Sequence, residues 1–277
     1  DESVAIIKKY APWLSYWVSE SDNGQAAAIN KGFARVTGAT LGWLNSDDAY
    51  LSDVFGAVAG QLDSLKNRDV IFGDCHLIDE SGTITGIWKG HFSKRKDLIR
   101  WWSYVRPDGP CWLTHSIFYS REAIDNVGLL DETLHYSMDY DLWIRLSSRY
   151  RFCYLDRVLA VYRFHSSSKS ILQLSQTAEK KWFAERMRIS QKYWGSMLTP
   201  AYYFYWYSFN KVQWQKKSLS FYARAEEQYR LGHRYLALQY GFVSLLLLSV
   251  NAPCRNHVAL LFRLLVGTRI DNAKEMR

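Results

Sequence analysis

At 277 residues and 48% hydrophobic, the chain has the apolar content to bury a substantial core, which excludes a disordered or fibrous protein. The net charge of +8, with a pI near 9.2, suits anionic partners such as nucleotide diphosphates, anionic lipid or nucleic acid, without choosing among them. Cys75, Cys111, Cys153 and Cys254 are too widely spaced for a zinc site and fit a reducing cytosol, and the longest apolar run, Gly241 to Val250, is too short to cross a bilayer.

Ser3 to Tyr10 reads as a short helix capped by Ser3, and Leu14 to Val18 alternates as a strand. The polar loop from Ser19 to Gln25 then feeds a helix with Ala26, Ile29, Phe33 and Val36 on its apolar face. Asp22, Gly24 and Gln25 therefore stand at a helix N-terminus, where backbone N–H groups and the dipole suit a phosphate. An Asx-turn with a plain cap reads identically. Gly38 ends this helix and Thr40 to Leu44 forms the next strand, which makes strand, helix and strand a parallel crossover. The run Leu41-Gly-Trp-Leu-Asn-Ser-Asp47-Asp48 then ends abruptly in two carboxylates that cannot stay in a core uncompensated. Mg2+ or Mn2+ would compensate them, and those ions in turn bind diphosphates. A turn followed by a helix cap accounts for the same residues.

Leu51 to Leu65 has helical periodicity, Asp69 to Gly73 reads as a strand, and His76 to Thr85 as a hairpin around Gly82. Lys94 to Tyr104 is expected to be helical, and Arg106 to Trp112 is a breaker-rich loop of the kind that carries specificity. Ser116 to Tyr119 is a strand, and Ser120 caps a helix that Gly128 ends. A second acidic cluster follows. Asp139 falls where a helix begins, Leu142, Trp143 and Leu146 give that helix a buried face, and Asp141 is placed to pair with Arg145. An ionised Asp139 beside an acceptor hydroxyl is a workable general base, while a helix cap is the competing role. Leu155 to Phe164 is extended and leads into Tyr162-Arg163-Phe164-His165 and a Ser/Lys run; a lone His is usually structural. After Ser170 helical patterns run to the end: Gln173–Tyr193, Tyr202–Trp214, Leu219–Tyr229, His233–Leu248 and His257–Leu265. Mutual packing and a basic membrane-surface element both explain them. The composition divides the chain into residues 1–170 and 171–277.

In this order the motifs resemble the inverting family 2 glycosyltransferases of the GT-A fold, over about residues 1–170. The resemblance implies an α/β fold, with a Rossmann-type mixed sheet flanked by helices and an α-helical C-terminal extension. It implies a donor-side loop and helix at Asp22, Gly24, Gln25 and Asn30, a donor contact at Asp47 and a metal ligand at Asp48. Asp139 takes the place of the catalytic base, and Arg163 with His165 that of a closing loop, His165 reaching the metal or diphosphate and Arg163 the leaving group. Trp112, Gly128, Asp131 and Trp143 fall on the acceptor side. The implied activity is inverting, Mn2+- or Mg2+-assisted transfer from a nucleotide-diphosphate sugar, UDP-linked by family habit, to a glycan or lipid-linked hydroxyl in surface polysaccharide or glycan synthesis. A cytoplasmic protein follows, with peripheral contact at the inner membrane face through the C-terminal helices, and no nucleic-acid partner. Family members begin with a strand, a helix and a second strand before the point where this sequence starts, so the first strands of the nucleotide-binding half are expected to be missing. A GT-A-like module that binds a partner or membrane without catalysis is the alternative.

Overall fold

A computed structural model describes residues 2–64, 69–92, 94–101, 114–166, 168 and 176–248 in two compact units that divide between Tyr193 and Trp194. The first unit holds α1 (Ser3–Tyr10), α2 (Gln25–Phe33), β1 (Thr40–Gly42), β2 (Ala49–Tyr50), α3 (Val54–Ser64), β3 (Asp69–Ile78), β4 (Ile84–Trp88) and α4 (Arg95–Ile99). After these come β5 (Ile117–Ser120), α5 (Arg121–Val127), α6 (Met138–Leu146), β6 (Arg151–Arg163) and α7 (Gln176–Lys192). The strands form one mixed sheet in the order β1-β5-β3-β6-β2, with β4 hairpinned onto β3. This is the expected mixed sheet flanked by helices.

The sheet is built on β3, whose Val70, Ile71 and Phe72 are at most 2% exposed, and β6 runs parallel to it from Asp69↔Arg151 to Ile78↔Arg163. Other described strand pairs are antiparallel. The parallel crossover expected at the start is therefore absent: β1 pairs antiparallel with β5, and Leu14 to Val18 is not a strand. Alternation alone cannot make a strand without a neighbouring edge to bond, and Leu14, Tyr16, Trp17 and Val18 are exposed instead. Ser3 is the first residue of α1 rather than its cap.

Because β1 and β2 lie at opposite ends of the strand order, the segment between them carries the chain across the sheet from β5 to β6, and Asp47 and Asp48 lie at its far end. Gly42 lets this segment leave the sheet closely packed, since a Cβ there would lie 2.6 Å from the Tyr50 hydroxyl and 2.8 Å from the Phe118 ring.

Helix α6 buries Met138, Tyr140, Leu142, Trp143, Ile144 and Leu146, as its 3.6-residue pattern requires. The expected Asp141–Arg145 pair forms at 2.8 Å, and Arg145 also donates to the carbonyls of Val127, Gly128 and Leu129 at 2.6, 2.7 and 2.9 Å. One guanidinium thus ties the end of α5 to α6, with Gly128 turning the chain at φ 84°. Ser120 caps α5 through its hydroxyl, as expected. Helix α7 belongs to the first unit, where Glu185 and Ser190 are buried, so the boundary lies at residue 193 and not 170.

In the second unit α8 (Pro200–Arg230) and α9 (Arg234–Leu248) pack through Ala225 and Ala237. Ser218 and Ser244 exchange hydroxyl-to-carbonyl bonds at 2.9 and 2.8 Å where small side chains let the backbones approach. The two helices expected across 202–229 are one, because Gln215-Lys-Lys-Ser218 contains no breaker. No described helix is long and apolar enough to cross a membrane. The helix expected at 257–265, the loop at 106–112, and Cys111 and Cys254 lie outside the described residues.

Arg145→Ala is expected to cost about 3 kcal/mol in urea unfolding, with Arg145→Lys recovering little, because a point charge cannot serve three carbonyls and a carboxylate at once.

Candidate active site

The two adjacent aspartates occupy different environments. The Asp48 side chain is 0% exposed and its oxygens are engaged on several sides. Oδ1 accepts the Arg163 backbone N–H at 3.1 Å, and Oδ2 accepts the Asn45 side-chain amide at 3.0 Å. Nδ1 of His115 lies 3.1 Å from Oδ2, within ion-pair range but off the line of a directed hydrogen bond. His115 is itself 2% exposed, stacks on Tyr162 at 5.4 Å and 9°, and places Nε2 3.2 Å from the Cys75 sulfur. Burial pushes the Cys75 thiol far above its ordinary range and the Asp48 charge adds to this, so Cys75 is held as a neutral thiol. Asn45 is fixed in turn by the Trp43 indole N–H at 3.1 Å.

Asp47 is a third exposed, and its Oδ2 meets Nε2 of His165 at 3.0 Å. His165 is held at the end of β6 by backbone: Phe164 N–H bonds to Ile78 O at 2.8 Å and Ser168 N–H to His165 O at 2.9 Å. His165 therefore pairs with Asp47 and not with Asp48. The sequence expectation joined His165 with Asp48 as metal ligands; the structure instead brings His165 to Asp47. The reason is physical: the Asp48 oxygens are already engaged inside a closed network, whereas the Asp47 carboxylate is partly exposed and within reach of the imidazole. The Arg163 guanidinium reaches the carbonyls of Asp79 and Glu80 in the β3–β4 turn, at 3.3 and 3.5 Å, which places it on the protein rather than toward a leaving group.

Asp139 is the second residue of α6, half-buried, with Oδ1 accepting the Tyr140 N–H at 2.7 Å. It is not the cap. The cap position belongs to Ser137, whose side chain makes no capping bond. The amides entering the helix are taken by Glu185 of α7, whose carboxylate accepts from His135, Tyr136 and Ser137 at 2.9, 2.7 and 2.7 Å while only 8% exposed. Tyr140 donates to Leu98 O at 2.8 Å and Ser190 to Ile99 O at 2.7 Å, so α4, α6 and α7 lock together around the Asp139 turn.

The donor-side loop forms the expected Asx-turn, with Asp22 Oδ1 accepting Gly24 N–H at 2.9 Å, and Gly24 at φ 111° opens α2 at Gln25. A cleft of about 480 Å³ is lined there by Ser21, Asp22, Asn23, Ala27, Asn30, Lys31 and Glu132. Asn30 is 7% exposed and its amide is occupied by the chain: it bonds Leu130 O at 3.0 Å, Leu130 N–H at 2.9 Å and Glu132 Oε1 at 2.9 Å. Asn30 is thus a clamp between α2 and the turn after Gly128. Asp131 accepts from the Thr133 hydroxyl at 2.6 Å and faces Lys192 at 3.3 Å; the Thr133 bond, then Lys192, hold its carboxyl below the usual range. Trp143 is 5% exposed and belongs to the core, which corrects its acceptor-side placement. Trp112 lies outside the described residues. No spacing in the chain marks the contacts of His115, Cys75 and Glu185, because each meets its partner across at least 40 residues.

The two aspartates should separate in unfolding experiments. Asp48→Ala is expected to cost about 3–5 kcal/mol by leaving His115 and two N–H groups unanswered, and Asp47→Ala less than about 1 kcal/mol. Equal losses would remove the distinction drawn between them.

The profile of glycosyl transferase family 2 matches residues 1–123. Relatives include an uncharacterized glycosyltransferase of Rickettsia prowazekii (strain Madrid E), 30% identical over 185 residues that make up 65% of this chain and 56% of that protein. One from Rickettsia typhi (strain ATCC VR-144 / Wilmington) is 29% identical over 187 residues with the same coverage. The chain thus spans about half the length of these relatives, 56% in each case. Among solved structures, the crystal structure of S. aureus TarS 1-349 in complex with UDP-GlcNAc superposes with a TM-score of 0.55 over 97% of this chain and 80% of that one, at 14% identity, which shows a shared fold. The matched profile includes the Asp47-Asp48 turn, and the relatives align over about two thirds of the chain, 65% in each case: over residues 1–123 the chain is similar to glycosyl transferase family 2.

Proposed function

We propose that this chain transfers a sugar from a nucleotide-diphosphate sugar to a hydroxyl acceptor with inversion at the anomeric carbon. The observation that carries the reading is the partly exposed Asp47–His165 pair beside the buried Asp48 carboxylate, in a chain whose residues 1–123 match the family 2 profile. The solved structure of similar fold holds UDP-GlcNAc, which makes a UDP-linked sugar the donor to test first.

Asp47 and His165 suit a divalent cation of the Mg2+ or Mn2+ kind, since such ions take one or two protein ligands and complete their shell with water and phosphate oxygens. No group of three or more His, Cys, Asp or Glu side chains that could hold a metal occurs among the described residues, so the diphosphate would complete the set. A bound cation supplies positive charge against the departing nucleotide diphosphate. Asp139 acts on the acceptor: its ionised carboxylate takes the hydroxyl proton as the oxygen attacks, on the side opposite the leaving group, which inverts the anomeric centre. Glu185 acts through the backbone it holds at residues 135–137, which fixes where the turn bearing Asp139 stands. The loop at Asp22 to Gln25 lines the donor-side cleft, with Asn30 positioning its floor.

Calorimetric titration with UDP, GDP and dTDP, in Mn2+ and then in EDTA, tests the donor site. Metal-dependent binding of UDP is expected, weakened about tenfold or more in Asp47→Ala; binding that is unchanged in that variant would refute its assignment. Asp139→Asn should lower transfer by about 10²–10⁴ while leaving UDP affinity intact, and a parallel fall in both would take Asp139 out of the base role.

A further inference from the structure

Arg186, the residue after Glu185, has no part in the transfer described above. Its guanidinium carbon lies 4.7 Å from the centroid of Tyr140, 4.7 Å from that of Trp182 and 5.5 Å from that of Trp101. Nε is buried and has no hydrogen-bond partner, and among the described residues the guanidinium has no ion-pair partner either. Aromatic faces attract the charge of a guanidinium, but they leave its in-plane fork of N–H donors unmet. Trp101, Trp182 and Arg186 are each partly exposed, so this box is open to solvent. On the same helix start, Ser137 is 1% exposed and its hydroxyl also lacks a partner. Tyr140 follows Asp139 directly, which sets the boxed guanidinium against the helical turn that carries the candidate base.

We propose that Arg186, boxed by Trp101, Tyr140 and Trp182, receives an oxyanion of the acceptor, a carboxylate or a phosphate, so that the acceptor is an acidic sugar or a sugar phosphate. The word acceptor rests on the transferase reading; the anion site does not. A guanidinium recognises carboxylate and phosphate through two parallel N–H bonds, and a partly desolvated one with no partner gains most from such a ligand. The neighbouring carboxylates do not fill that role: Glu185 is engaged by three backbone amides, and Asp139 accepts the Tyr140 N–H. Indole rings beside the fork offer a flat apolar surface for the face of a sugar ring. A neutral acceptor would leave the guanidinium charge unanswered at the point where the sugar must be oriented.

The test titrates the chain, with UDP and Mn2+ present, with glucuronate, glucose 1-phosphate, inorganic phosphate and glucose. One of the two acidic sugars is expected to bind at least about tenfold more tightly than glucose, and Arg186→Gln to abolish that preference. Arg186→Lys, which keeps the charge and the stem but not the fork, should lose several-fold. Tighter binding of glucose 1-phosphate than of inorganic phosphate assigns the rings to the sugar, and preference for glucuronate assigns the anion as a carboxylate. Acidic sugars binding no better than glucose, or binding equally to wild type and Arg186→Gln, would overturn the proposal. UDP affinity measured on the same samples keeps the two readings apart. Wild type without UDP binding defeats the donor site alone, and UDP binding without any anion preference defeats only the Arg186 site.

Discussion

A carboxylate with no exposed surface sits where the chain finishes crossing the sheet, and the local architecture follows from answering its charge. Leaving Asp48 unpaired would cost several kcal/mol, so its oxygens collect an amide from the turn itself, a backbone N–H from β6 and an imidazole from the turn before β5. Three segments far apart in sequence are drawn to one point. That convergence leaves Asp47, its neighbour in the chain, facing the other way and free to meet His165. The pair offered to solvent is precise because the pair beneath it is closed.

A second buried carboxylate does the same for the opposite side of the site. Glu185 answers the amides at the start of α6, which Ser137 leaves without a side-chain cap, and so fixes the turn that presents Asp139. Both devices use charge-assisted bonds to backbone, which hold position without consuming the functional side chain. Arg145 completes the frame by tying the end of α5 to α6 through three carbonyls. Rigidity around the site therefore comes from polar clamps set into an apolar core, and α7, far beyond the residues matched by the family profile, is part of it.

Much was legible from local pattern. The hairpin around Gly82, the cap at Ser120, the stop at Gly128, the buried face of α6 and the Asp141–Arg145 pair all depend on residues within one or two turns of each other. Errors arose where the deciding partner was distant. Leu14 to Val18 has the alternation of a strand but no edge to join, and Trp143 matches an acceptor-side block by position while its ring is in the core. Asn30 looks like a ligand-facing amide until Leu130 and Glu132 are seen to occupy it.

By itself the sequence determined the order of helices and most strands, the resemblance to a glycosyltransferase family, and the two acidic clusters on which the proposed chemistry rests, because periodicity, breakers and motif spacing are short-range properties of the chain. Only the tertiary structure decided which of two adjacent aspartates is buried, that His165 pairs with Asp47, and that Glu185 and Arg186 flank the turn of Asp139. Neighbouring carboxylates are chemically identical in a string of letters. Desolvation and the arrival of partners more than a hundred residues away, such as Arg163 at Asp48 and His165 at Asp47, make them different.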